Sequence, residues 1–255
     1  MKSVAIPLML ASLSCASAAQ ATTISLPQSG GTLNVTVSAR AADAWAAVDQ
    51  SRSGDLPAGS AWQAGSTIEQ LPTTTYPIDL GTDPANPLDP CRNACSPFYG
   101  GVYNEPPFAS TGAPGWETAS FWTVFAPDAG SAALMNQAVL EFDTSRSSIS
   151  LLWGSADNTN GLEFLLGGAV VGEFWGVEFS RFGTPDIVMH PGQSAVLTSF
   201  DGIEFDALRF TAYQSGGSFE FSNVVAPVPL PAGMVLLLTG LGAVAVAGRS
   251  RKARA

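Results

Sequence analysis

Charge is scarce in this chain, and positive charge scarcer still. Only 13% of the 255 residues are charged, against about a quarter in ordinary soluble proteins. Lys2 and Lys252 are its only lysines, and both lie near the ends. Lys2, Arg249, Arg251, Lys252 and Arg254 hold the bases of the terminal segments, which contain no Asp or Glu. The region between them therefore sets six arginines against twenty-one acids, a net charge near −15. Such a body repels nucleic acid and anionic membranes.

Histidine is rarer. His190 stands alone, beside Pro191 and Gly192. A Ser-His-Asp triad has one candidate base and no G-x-S-x-G elbow to serve, so an edge or surface histidine is the better account. Cysteine numbers three: Cys15, Cys91 and Cys95. One histidine and a C-x₃-C spacing do not assemble the usual tetrahedral zinc set. No long amphipathic helical pattern appears either, while 26 glycines and 18 prolines favour turns and short strands.

What is present begins with two atypical ends. Residues 1–21 read as a secretory signal peptide: Lys2, the apolar run Val4 to Leu13, then small residues to Ala19-Gln20-Ala21. Export implies an oxidising compartment, which favours a Cys91–Cys95 disulfide pinning a local turn. At the other end, residues 227–255 combine Val228-Pro229-Leu230-Pro231-Ala232 with an uncharged run to Gly248 and a basic finish. As a helix, residues 232–248 reach roughly 25 Å, slightly short of a bilayer core. The basic end favours the cytoplasmic side, leaving the body outside. Pro229 and Pro231 keep the preceding segment extended and accessible.

This order of motif, short span and basic end resembles the PEP-CTERM class of sorting tails, in its VPLPA variant; Val228 to Ala232 matches letter for letter. The resemblance implies that the chain is the substrate of an exosortase-type membrane processing enzyme and not itself an enzyme. It further implies membrane attachment through the C-terminal helix before processing, delivery to the cell surface or the extracellular space, and a setting of extracellular polysaccharide or biofilm. A second, shorter segment, Trp153-Gly154-Ser155-Ala156-Asp157 with Asn160, is similar to a loop in exosortase-dependent surface proteins, although Asn158-Thr159 lacks the aromatic often found there.

Between the ends, residues 22–226 read as a β-rich ectodomain with an irregular Pro-rich stretch at 51–115. Thr32–Val37 alternates as a strand, and Ala41–Gln50 has the composition of a short helix. From Phe121 onward the strand pattern strengthens: Phe121–Phe125, Ala138–Phe142, Ser148–Trp153, Leu162–Leu166, Ala169–Phe174, Asp186–Met189, Ala195–Phe200, Ile203–Phe210 and Phe219–Val225. Gly167-Gly168 reads as a hairpin turn. The expected fold is all-β, an antiparallel β-sandwich of jelly-roll-like character.

Three chemistries fit this composition. Asp157, Asn158 and Asn160 offer oxygen ligands for calcium in one loop, and Asp83, Asn86 and Asp89 do so in another; otherwise no cofactor is expected. Asp and Asn are equally the default residues of turns. Glu163, Glu173, Glu178 and Glu204 lie in or beside strands and contain the two carboxylates a glycosidase needs, although alternation makes them the solvent face of half-buried strands. Trp116, Trp122, Trp153 and Trp175 offer stacking surfaces for sugars or, more commonly, filling for a core. The first expectation is a structural or interaction protein of the envelope or biofilm; the alternative is a carbohydrate-binding module acting on matrix polysaccharide.

Overall fold

The computed structural model describes residues 21–40, 44, 47–72, 119–125, 132–154, 158–182, 195–213 and 218–228. Among these residues ten strands form one antiparallel network: β1 (Thr22–Gln28), β2 (Gly31–Arg40), β3 (Ser60–Trp62), β4 (Glu69–Pro72), β5 (Ser120–Val124), β6 (Met135–Gly154), β7 (Asn160–Leu166), β8 (Ala169–Trp175), β9 (Val196–Tyr213) and β10 (Phe219–Val225). Short 3₁₀ segments span Gln50–Arg52 and Gly176–Phe182. No helix among the described residues is long and apolar enough to cross a membrane. Residues 1–20 of the signal-peptide segment, the tail beyond Val228, Cys91, Cys95, His190 and the expected Asp186–Met189 strand lie outside the described residues, as does half of the expected Ala41–Gln50 helix.

Strands β6 and β9 organise everything else. One half of the network runs β1-β2-β9-β6-β10-β5-β4; in the other, β8 pairs β7, β7 pairs β9, and β3 pairs β6. The first half uses Val196–Asp201 of β9 against Ser148–Trp153 of β6, and the second uses Ala207–Tyr213 against Met135–Glu141. The expected strands Ala138–Phe142 and Ser148–Trp153 are thus one strand that bends, and so are Ala195–Phe200 and Ile203–Phe210.

The bends have local causes. In β9 the corner falls at Gly202, φ +94°, where a Cβ would lie 2.2 Å from the Thr32 carbonyl oxygen; only glycine fits there. In β6 the pairing shifts on both sides of Arg146, as bulges do where a strand changes direction. The Arg146 side chain is wholly buried. Its Nη2 donates to Ala58 O at 2.9 Å and to Asp143 Oδ1 at 3.1 Å, its Nη1 donates to Thr144 Oγ1, and the guanidinium lies 5.2 Å from the Phe142 ring centroid.

Alternation then builds the core. Leu33, Val35 and Val37 of β2, Ile149, Leu151 and Trp153 of β6, and Leu208, Phe210 and Ala212 of β9 turn to one side and are buried. Rings from the two halves meet there: Phe164 with Phe200 at 5.4 Å, Trp153 with Phe174 at 6.0 Å, and Phe210 stacked on Phe221 at 4.2 Å. Fully burying each such ring is worth about 1.5–3 kcal/mol. Trp153 belongs wholly to this core, and Trp122 packs against it 5.4 Å from Trp62.

The outer edge of β8 is covered by the β1–β2 turn. Gly30 N donates to Val171 O at 2.8 Å, Ser29 Oγ to Val170 O at 3.2 Å, and the Gln28 amide bonds both Glu173 O and Glu173 N. An edge strand's free backbone groups are thereby occupied.

Candidate functional site

Two of the four glutamates read from the sequence come together. Glu163 of β7 and Glu173 of β8 are direct cross-strand partners, and Glu163 is also the partner of Arg209 in β9. All three side chains belong to the face opposite the core, because Leu162, Phe164, Phe174, Leu208 and Phe210 occupy the inner positions.

Glu163 and Arg209 form a fork: Nε to Oε2 at 2.6 Å and Nη2 to Oε1 at 2.8 Å. Their side chains are only 14% and 28% exposed. The hydrogen bond that Arg209 donates to Glu163 raises the Arg209 pKa above its ordinary value; burial opposes this, and charge attraction adds to it. Both carboxylate oxygens of Glu163 are thus engaged by a cation that keeps its proton.

One row further along, Trp175 of β8 faces Gly161 of β7, which faces Thr211 of β9. A Cβ on Gly161 would meet Trp175 Cζ3, Cε3 and Cδ2 at 2.6–2.9 Å, so the benzo ring rests on bare backbone. The indole Nε1 points back to Glu173 Oε2 at 3.3 Å, and Glu178 Oε2 accepts from the Trp175 backbone N at 3.3 Å. Trp175 is half-buried, so part of the indole stays accessible. Gln137 of β6 completes the row, donating to Thr211 Oγ1 at 3.3 Å. Tyr213, two residues beyond Thr211 on this face, is 38% exposed beside Met135 at 41%.

Elsewhere the sequence candidates part company. Glu204 sits exposed past the β9 corner. Asp157, Trp116, Asp83, Asn86 and Asp89 lie outside the described residues. Asn158 is exposed, whereas Asn160 is buried and donates its amide to Ser218 O at 3.1 Å. Among the described residues no group of three or more His, Cys, Asp or Glu side chains is placed to hold a metal.

A second feature lies where β10 ends. Asn223 is the one non-glycine residue with positive φ (52°) among those described, at an irregularity in the β10–β6 pairing. Its backbone N donates to Ser53 O at 3.0 Å and its Nδ2 to Asp49 O at 2.7 Å, which ties the 49–53 turn to β10. A cavity of about 250 Å³ opens there between Val48, Asp49, Arg52, Leu197 and Val225.

Arg209, Gly161 and Tyr213 were not singled out by sequence reasoning. A signal existed for the first: Leu162-Glu163-Phe164 and Leu208-Arg209-Phe210 each hold one isolated charge inside apolar alternation, with opposite signs. Compared with protein-family models, curated proteins and solved structures, the chain matches none.

Proposed function

We propose that this chain is an exported surface or extracellular-matrix protein, a substrate and not an enzyme, delivered through processing of its tail by an exosortase-type enzyme. One observation carries the reading: β10, bonded on both sides to β6 and β5, ends at Val225, and the Val228–Ala232 motif begins three residues later. Ala226 still packs into the core, while Val225 and Val228, the first residue of the motif, are each 52% exposed. A compact cargo feeding directly into a sorting tail is what such processing requires. The tail holds the cargo at the membrane through residues 232–248 until then.

The pairing of the two network halves across shared rings supports an antiparallel β-sandwich, jelly-roll-like, as the form of the cargo. Glu163, with both oxygens committed to Arg209, makes a poor nucleophile or acid, which supports a non-catalytic role. Calcium at Asp157, Asn158 and Asn160 stays a minor candidate, since Asn160 is buried while Asn158 is exposed.

The intact mass of protein recovered from cells and medium tests this, for the native chain and for a Pro229→Ala/Pro231→Ala variant. Loss of the tail in the native chain alone is the expected result. A full-length tail in both means an ordinary anchor. The partly exposed Trp175 beside Glu173 favours a second reading, in which the ectodomain binds matrix polysaccharide.

A further inference from the structure

We infer that the outer face of β8, β7 and β9 binds a neutral pyranose chain, laid across the strands from Trp175 to Tyr213, and rejects uronate polymers. This rests on the carbohydrate-binding reading and gives it a site and a ligand class.

The first argument is shape. Trp175 cannot lie as it does unless position 161 lacks a side chain, so Gly161 works as a notch that holds the indole against the sheet. The indole N–H is tethered to Glu173, which fixes its rotation. A ring clamped in this way presents its uncovered surface with little rotamer entropy left to lose on binding. Tyr213 lies two strands away and two residues further along, on the same face. Strand spacing and rise put the two Cα atoms about 12 Å apart, the reach of a short oligosaccharide and not of one sugar. Groups that address hydroxyls flank this line: the exposed Glu173 carboxylate one row back beside Trp175, and Gln137 on the next strand past β9, held by the buried Thr211.

The second argument is charge. Every described arginine side chain is already paired with an acid: Arg52 with Asp55, Arg146 with Asp143, Arg181 with Glu178, and Arg209 with Glu163. On this face Arg209 is the sole described cation, and its fork to Glu163 leaves Glu173 as net negative charge. A polyuronate would meet a carboxylate with no free cation among the described side chains, and like charges at close range exclude it. A neutral chain meets stacking surface and hydrogen-bond partners without that cost.

The test uses the full chain in mild detergent, titrated with three probes: cellohexaose, hexa-N-acetylchitohexaose and hexagalacturonate. Tryptophan fluorescence and calorimetry are read together. Expected is binding of at least one neutral hexamer, none of hexagalacturonate, and a loss of about tenfold in affinity for Trp175→Ala and for Tyr213→Ala separately. Tyr213 is 38% exposed, so its variant keeps the test alive if Trp175→Ala misfolds. Neutral binding that survives both substitutions overturns the site while leaving a carbohydrate-binding protein. Tighter binding of hexagalacturonate overturns the ligand class. No binding of any probe overturns the carbohydrate-binding reading itself.

Discussion

Replacing Arg146 tests how the two long strands turn their corner. The side chain is wholly buried, yet its ionic partner Asp143 is 64% exposed. Truncation therefore leaves no buried charge behind, and the cost comes from volume and from the Ala58 carbonyl. Arg146→Ala removes roughly 80 Å³ of side chain, which at about 24 cal/mol per Å³ of unfilled cavity is about 2 kcal/mol. Stranding the Ala58 oxygen adds about 1–2 kcal/mol. Arg146→Met keeps most of the volume and relieves an Nε that has no hydrogen-bond partner, so only the carbonyl cost of about 1–2 kcal/mol remains. Asp143→Asn, at an exposed partner, costs under about 1 kcal/mol. Urea denaturation of the full chain in detergent, followed by far-ultraviolet dichroism, measures all three. For a body of this size Arg146→Ala lowers Tm by about 10 °C. If Arg146→Ala falls within about 1 kcal/mol of the native protein, the corner does not depend on this side chain. If Arg146→Met is as damaging as Arg146→Ala, charge and not volume is what matters.

Two further outcomes follow from the same physics. Asn223→Ala loses the bond to Asp49 O and keeps the left-handed backbone, for about 2 kcal/mol in total, whereas Asn223→Gly recovers about 1 kcal/mol of it; denaturant midpoints that rank the glycine variant below the alanine variant contradict this. The raised pKa of Arg209 means its folded value exceeds its unfolded one, so its stabilisation is complete below the ordinary arginine range and is lost only as pH rises through the raised value. The stability difference between the native protein and Arg209→Met is accordingly flat from about pH 6 to 10, and a difference that shrinks over that interval refutes the assignment.

Much of the fold was legible because alternation survives in single strands. Leu162–Leu166, Ala169–Phe174 and Phe219–Val225 were readable to within two residues at each end, and Gly167-Gly168 makes the expected turn with φ of +58° and +82°. The corners were not legible: a bend at Gly202 or Arg146 looks like a break in the pattern, so one strand read as two. Strand β1 went unread because Pro27 and a mostly exposed pattern hide it, and β3 and β4 because three or four residues carry no period. The stacking reading was legible as residue types only. Trp122 and Trp153 go to the core and Trp175 to the outer face, and what separates them is pairing register, with a glycine on the neighbouring strand deciding where the indole can lie.

The β1–β2 hairpin has a consequence in time. It is made early, but its long partner is β9: the Asn34–Asp201 contact joins positions 167 residues apart. A nascent chain therefore emerges with a hairpin that must wait, its apolar row of Leu33, Val35 and Val37 uncovered, until nearly the whole polypeptide has been delivered. Assembly of this kind is slow, since distant ends must meet before either is rewarded. A chain stopped short of residue 196 would present that row to chaperones and proteases.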